Sequence, residues 1–340
     1  MNLCDRPSYE GLMMNRLVNP KRLLTTNELT PLTQISNWRA ALSVLQTWLV
    51  IALTLGVTLL FWSWPLVLVA IVIIGTQQHA LFILSHEAVH FRMFGNRRVN
   101  DLVGGACAAA AGLSMCTYRV IHRLHHNHLY GAADPDMALH GGYPRGKWYL
   151  VRKLLKDLSG QTALKSYGYF FGRPVSAAET GELRPLADAT RSLRTAARID
   201  QRIVIGLQVT LPVVVFALGG AHALGLYLLL WVVPALTVLQ VILRLRAICE
   251  HGAVDDTSSQ LTATRTHRSG RSAGEFIARL ALFPHHVNYH VEHHLYPAVP
   301  HYRLPQMHAL LLRRGLLEPD RDKIGATLCK VFAERPATAS

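Results

Sequence analysis

Charge is what this sequence has least of. Only 16% of its 340 residues are Asp, Glu, Lys or Arg, against 50% hydrophobic, and mean hydropathy is +0.20. A soluble domain carries about 25% charged residues, so the balance points to membrane insertion. The shortage is concentrated in two places: no charged residue occurs from Ala40 to His86, or again from Ile203 to Leu243. These runs of about 47 and 41 residues are each long enough, as helix, to cross twice a hydrocarbon core about 30 Å thick. Cysteine is scarce too. Cys4, Cys107, Cys116, Cys249 and Cys329 form no CxxC pair, which argues against a disulfide framework and suits structural thiols at a reducing face. The N-terminal MNLCDRPSYEGLMMNRLVNPKRLL lacks the apolar stretch of a cleavable signal peptide. No nucleic-acid motif accompanies the net charge of +14.

The apolar runs set an expected topology. Turns are expected at Ser63-Trp64-Pro65 and near Gly219-Gly220-Ala221-His222. The result is an all-α integral membrane protein with four transmembrane helices in two hairpins, at about 40–62, 66–86, 203–219 and 224–243. A cytoplasmic segment, 1–39, precedes the membrane domain 40–315, whose helical cap comprises 87–202 and 244–315; a tail, 316–340, follows. Neither turn holds a Lys or Arg, so all 35 fall on one side, which the positive-inside bias makes cytoplasmic together with both termini. Leu102 to Cys116 is apolar but only about 15 residues long, below the roughly 17 of a helical span, and is expected to be interfacial or re-entrant. A true crossing there would separate the histidines on its two sides by about 30 Å.

Those histidines carry the chemistry. Among 18, His86 and His90 form HxxxH, His122, His125 and His126 form HxxHH, and His290, His293 and His294 form a second HxxHH; His251 stands beside Glu250. Residues three and four apart share a helix face, so each group aims its imidazoles at one point. HEAVH at 86–90 also spells the zinc-protease signature, with Glu87 activating water. One zinc would leave both HxxHH groups unexplained, and no NPDG or LDG partner motif is present. Nine convergent imidazoles suit two metals, and ligand type alone leaves Zn, Cu, Fe and Ni open. Glu87, Glu250, Glu292 and Asn288 are candidates for holding the outer side of metal-bound imidazoles, a role that fixes the ring's tautomer and orientation. Asp134 and Asp136 either orient ligands or cap a helix. His79, seven residues before His86, is a core histidine or lines a substrate channel, and His128, His285, His286, His301 and His308 take outer or surface roles.

HEAVH, HRLHH at 122–126 and HVEHH at 290–294, followed by LYPAVP and Leu304-Pro305, together resemble the three histidine boxes of the membrane-bound fatty acid desaturase and hydroxylase superfamily, closest to the acyl-lipid desaturases. NRRVND at 96–101 and DPD at 134–136 are similar as well, and the resemblance covers roughly residues 40 to 315. It implies two non-heme irons held by the eight box histidines and His251, with no catalytic residue beyond the metal centre. It also implies dioxygen as co-substrate and a lipid or fatty acyl substrate. No His-Pro-Gly-Gly heme motif occurs, so electrons are expected from a separate ferredoxin-like or b-type cytochrome carrier. A hydroxylase or ketolase acting on a carotenoid, sterol, alkane or small amphiphile shares the same boxes. A non-enzymatic metal transporter would need polar spans, and these offer chiefly Gln46, Gln77, Gln78, His79, Gln208 and Gln240. The middle stretch KWYLVRKLLKDLSGQTALKSYGYFF, Lys147 to Phe171, reads as a membrane-surface helix, or more sharply as a basic platform for an acidic carrier or an anionic lipid head group.

Overall fold

The structure, a computed structural model, describes residues 23–175, 182–187, 189–267, 273–317 and 323–334. Cys4, most of the expected N-terminal segment and part of the tail lie outside the described residues. All named elements among the described residues are helical.

The first apolar run forms two helices, α1 (Asn37–Leu60) and α2 (Trp64–Val89). Pro65 sits at the start of α2, where its missing N–H is not needed, and so closes the turn where the sequence places it. α1 exposes Leu45, Leu49, Leu53 and Leu60, and the early part of α2 exposes Leu68, Val69 and Val72. Such a face is unfavourable in water but is the ordinary outer surface of a helix in lipid. The end of α2 differs, with every residue from Gln78 to Val89 buried. α2 therefore enters the protein and carries His86 and His90 into its interior.

The Ala- and Gly-rich segment becomes α3 (Arg97–Ala110) and α4 (Met115–His128), bent by 96° at a short break. Asn96 caps α3 by accepting the Arg98 and Val99 N–H groups, and Ser114 caps α4 by accepting that of Thr117. Small residues let α3 lie against α2, since a Cβ on Gly104 would fall 2.1 Å from the Ala88 Cβ. The bend returns α4 to the same end of α2, so that the His86 and His122 rings stand 4.4 Å apart. The segment does not separate the two groups of histidines, as the sequence leads one to expect.

The second apolar run is helical from Arg191 to His251, as α5 (Arg191–Tyr227), a π-turn at Leu228–Val232 and α6 (Val238–His251). α5 is broken at Gly220, whose φ of +65° and ψ of −163° lie outside helix space, within the expected turn. α5 packs along α4, and α6 packs along α2. The Gln78 side-chain amide donates to the Trp231 carbonyl at 2.8 Å and ties α2 to the π-turn. Three helical stretches, Asn37–Leu60, Trp64–Val89 and Arg191–His251, are long and apolar enough to cross a membrane, or four if the bent α3–α4 pair forms one span.

Above the buried end of α2 lie α7 (His290–Leu295) and α8 (Leu304–Arg313), which carry the last box and the Leu304-Pro305 start. Lys147–Leu158 and Ala163–Phe170 are two amphipathic helices, close to the surface stretch expected from the sequence. Cys107, Cys116, Cys249 and Cys329 are unpaired thiols.

Candidate metal centre

The three boxes meet at the buried end of α2. His86 and His90 lie one turn apart on α2, His122 and His126 one turn apart on α4, and His293 descends from α7. A ligand nitrogen from each of these five lies within 4.8 Å of every other. A second group adjoins the first: His125, His251 and His294 form one set of the same size, and Glu250, His251 and His290 another. His126 and His294 connect the two groups, their rings stacked 4.2 Å apart. The eight histidines singled out by spacing, and His251 with them, are thus brought together in two adjoining groups.

The condition of these imidazoles shows what they can hold. Burial drives the pKa values of His122, His126, His290, His293 and His294 well below the usual imidazole range, so each presents a neutral ring with a free lone pair. The ring nitrogens face one another: His126 Nε2 is 2.9 Å from His122 Nε2 and 3.1 Å from His293 Nε2, and His290 Nε2 is 2.8 Å from His251 Nε2 and 3.1 Å from His294 Nε2. Both nitrogens of His86 and Nε2 of His90 have no hydrogen-bond partner. A buried polar atom without a partner is costly. A cation among these rings would remove that penalty. The donor set therefore fits metal, with imidazole as its main ligand.

The comparison that decides the family comes from the whole domain. A family model, fatty acid desaturase, matches residues 62–321. The chain belongs to the fatty acid desaturase family. It is a membrane protein and an oxidoreductase. It is 26% identical, over 96% of its length and 87% of the relative's, to the dihydrorhizobitoxine desaturase of Bradyrhizobium elkanii. A chloroplastic omega-3 fatty acid desaturase of Glycine max is 26% identical over 78% of this chain and 55% of its own length. A beta-carotene ketolase of a Paracoccus species (strain PC1) is 27% identical over 66% of this chain and 72% of its own length.

In this desaturase-family enzyme the carboxylates divide by partner. Asp134 Oδ1 lies 2.9 Å from His125 Nδ1 and also accepts the Asp136 N–H, while its Oδ2 accepts the Tyr130 N–H. Burial disfavours the His125 cation, but Asp136 and Asp134 outweigh it and hold the His125 pKa above the usual value. Asp136 accepts the Tyr169 hydroxyl. Glu250 is nearer to a ligand position: it accepts the Arg246 Nε–H at 2.9 Å, and its other oxygen lies 3.6 Å from His290 Nε2. Glu87 and Glu292 find their hydrogen-bond partners outside the clusters. Glu87 accepts the His301 backbone N–H at 3.0 Å and is 4.0 Å from His86 Nδ1. Glu292 is bonded by Thr266 Oγ1 and His308 Nδ1, tying α7 to α8. Asn288 donates to the His267 carbonyl at 2.8 Å and leaves its Oδ1 unpartnered.

Several outer histidines have structural partners. His285 bonds Thr47 and His301 bonds Ser43, each at 2.9 Å, while His128 is exposed. One histidine escaped sequence reasoning. His140 is buried, belongs to a compact group with His125 and Asp134, and lies with its ring 4.9 Å from that of His251. It follows the boxes at no helical spacing, so only its nearness to DPD could have suggested it.

A cavity of about 700 Å³ opens beside the clusters. His122, His125, His251 and His290 form part of its wall, with Phe82 and Phe170 opposite. His79 is buried against Phe82, 6.2 Å between rings, and lies outside the cavity lining.

Proposed function

We propose that this enzyme is a di-iron acyl-lipid desaturase that introduces a double bond into an acyl chain. The observation that carries the reading is the pair of imidazole clusters, four of whose nine rings line a cavity large enough for such a chain. His86, His90, His122, His126 and His293 would hold one iron, and His125, His251, His290 and His294 the other, with Glu250 in reach of the second. When bound and reduced, the irons supply dioxygen activation. The overall change balances as follows: the chain loses two hydrogens from adjacent carbons, a carrier delivers two electrons, two protons are taken up, and dioxygen leaves as two waters.

The protein's own part is positional. Apart from His125, whose proton Asp134 and Asp136 favour, the buried neutral rings bind metal without first shedding a proton. Asp134 holds His125 with one nitrogen turned to the cluster and the other to itself. Phe82, Tyr118 and Phe170 wall the cavity and exclude water from the reacting carbons. We place domain 40–315 in the membrane as four crossings in two hairpins, with the cap, both termini and the metals cytoplasmic, where a ferredoxin-like or cytochrome donor can reach them. The named desaturases among its relatives favour desaturation. The ketolase relative supports oxygen insertion as the second reading, because the same ligands serve either outcome and substrate placement decides between them.

Elemental analysis of detergent-purified protein, combined with product analysis on expression in a host of defined lipid composition, tests the proposal. Two irons per chain and a new unsaturated product, both lost in His293→Ala, are expected. Hydroxylated or keto products would select the second reading. One zinc per chain, insensitive to His125→Ala and His293→Ala, would overturn both.

A further inference from the structure

One buried imidazole beside the metal clusters takes part in neither. His140 ends the short helical turn Met137–His140, just after Asp134 and Asp136, and is 1% exposed. Neither of its ring nitrogens has a hydrogen-bond partner among the described residues. A buried imidazole without partners is costly, so a side chain kept only to fill that space would be better apolar.

His140 lies behind the second metal group rather than in it. Its ring stands 4.9 Å from that of His251 and 6.0 Å from that of His125. The compact set that it joins is the one with His125 and Asp134, not those that His251 forms with His290 or with His294. His140 Nε2 is 3.7 Å from Asp134 Oδ2. Asp134 has a position open there: its Oδ1 serves His125 Nδ1 and the Asp136 N–H, its Oδ2 accepts the Tyr130 N–H, and a carboxylate oxygen can accept two donors. A movement of about 0.5–1 Å by a terminal ring brings that contact within hydrogen-bond reach.

Tyr130 braces the same point. Its φ of +61° lies in the left-handed region, and strain of that kind persists where the surroundings over-determine it. Its N–H donates to Asp134, its hydroxyl donates to the His251 carbonyl, and its ring packs 4.9 Å from that of His140. The first group has no such support at His86, both of whose nitrogens are unpartnered, with Glu87 4.0 Å away.

We propose that His140 is a positioning residue for the second metal: its Nε2–H donates to the open position on Asp134 Oδ2, and the carboxylate so held fixes the His125 ring. The inference rests on the reading of the two clusters as a metal pair and deepens it by making the two metals unequal. A carboxylate held behind a ligand imidazole fixes the ring and raises its basicity, so the brace strengthens one metal site and not the other.

The test follows the two irons separately. Full-length protein loaded with a Mössbauer-active iron isotope is examined by Mössbauer spectroscopy, and the rate of iron loss to a chelator is measured. His140→Leu is expected to alter the signal of one iron, leave the other in place, and speed the loss of the altered iron about 10–100-fold. His140→Gln, whose amide reaches as far as Nε2, should recover most of the retention, and the shorter His140→Asn should not. Asp134→Asn should lose iron as fast alone as when combined with His140→Leu, because a residue that acts through Asp134 then has nothing left to hold. The unfolding temperature of each variant identifies general destabilisation, and should His140→Leu not fold, the Gln and Asn variants decide. Equal changes at both irons, additive losses in the double variant, or no difference between Gln and Asn overturns the proposal. Full retention of both irons in His140→Leu does so too, and leaves the metal-pair reading standing. Uptake of fewer than two irons by the unaltered protein refutes that reading, and the proposal with it.

Discussion

Asp134 has both oxygens engaged, one with the His125 ring and the Asp136 N–H, the other with the Tyr130 N–H. It is held well below the usual carboxylate range: burial opposes ionisation, but the His125 hydrogen bond and the neighbouring His140 ring outweigh it. Replacement by Asn keeps the shape and removes the charge that turns the His125 ring. Partners of this kind typically contribute 10–100-fold in metal affinity or activity. Asp134→Asn is therefore expected to weaken retention of one metal more than the other, seen as a fall towards one iron per chain during chelator titration; unchanged retention of both would remove Asp134 from that role. Glu87 gives the opposite expectation. One of its oxygens accepts the His301 backbone N–H and the other lies 4.0 Å from His86 Nδ1, beyond hydrogen-bond reach, so Glu87→Gln should keep its metal and at least a tenth of its activity. A zinc protease would lose all activity in that variant. At this scale the box histidines were legible because i, i+3 and i+4 spacing is a local property of a helix. His140 and the diversion of Glu292 to Thr266 and His308 were not, because each depends on a meeting of chain segments that no local spacing encodes.

Among the elements, the close approach of α2 and α3 sets where the second box arrives. A Cβ at Gly104 would stand 2.1 Å from the Ala88 Cβ and 2.9 Å from the Met115 sulfur, so a branched side chain has to push α3 away. Overpacking of this kind costs typically 1–3 kcal/mol. Gly104→Val should lower the thermal unfolding temperature and, because α3 leads into α4, also reduce iron content, whereas Gly105→Ala, with open space at its Cβ, should change neither. Equal effects of the two substitutions on unfolding and metal content would show that the contact is not what seats the second box. Length and Ala-Gly content led one to expect that the segment would not hold the two groups of histidines apart, and the 4.4 Å between the His86 and His122 rings agrees. They did not show the 96° bend, which depends on the Asn96 and Ser114 caps and on packing against Ala88. The Ser63-Trp64-Pro65 turn was readable because proline acts on its own backbone.

For the whole molecule the open point is how the stretch Arg191–His251 meets the membrane. Its charge-free part alone, Ile203 to Leu243, would extend roughly 60 Å as straight helix, twice the thickness of the hydrocarbon core. An uninterrupted rod entering the core at Ile203 would drive apolar residues of its far end such as Leu236, about 50 Å along it, well into water. A fold-back at Gly220, where the helix is already broken, removes that conflict and leaves both ends of the stretch beside the metal cap. The same arrangement accounts for the charge asymmetry, since it puts the exposed turns without Lys or Arg together and the basic residues opposite. In a cysteine-depleted background, single cysteines at Trp62 and His222 should therefore react with a membrane-impermeant maleimide added outside intact cells. A cysteine at Lys147 should react only after the membrane is opened. All three positions are exposed to the surroundings of the protein, so access and not burial would set the outcome. Labelling of His222→Cys from the same side as Lys147→Cys would mean that the second run does not form a hairpin, and a carrier reaching the metals would then need a different route.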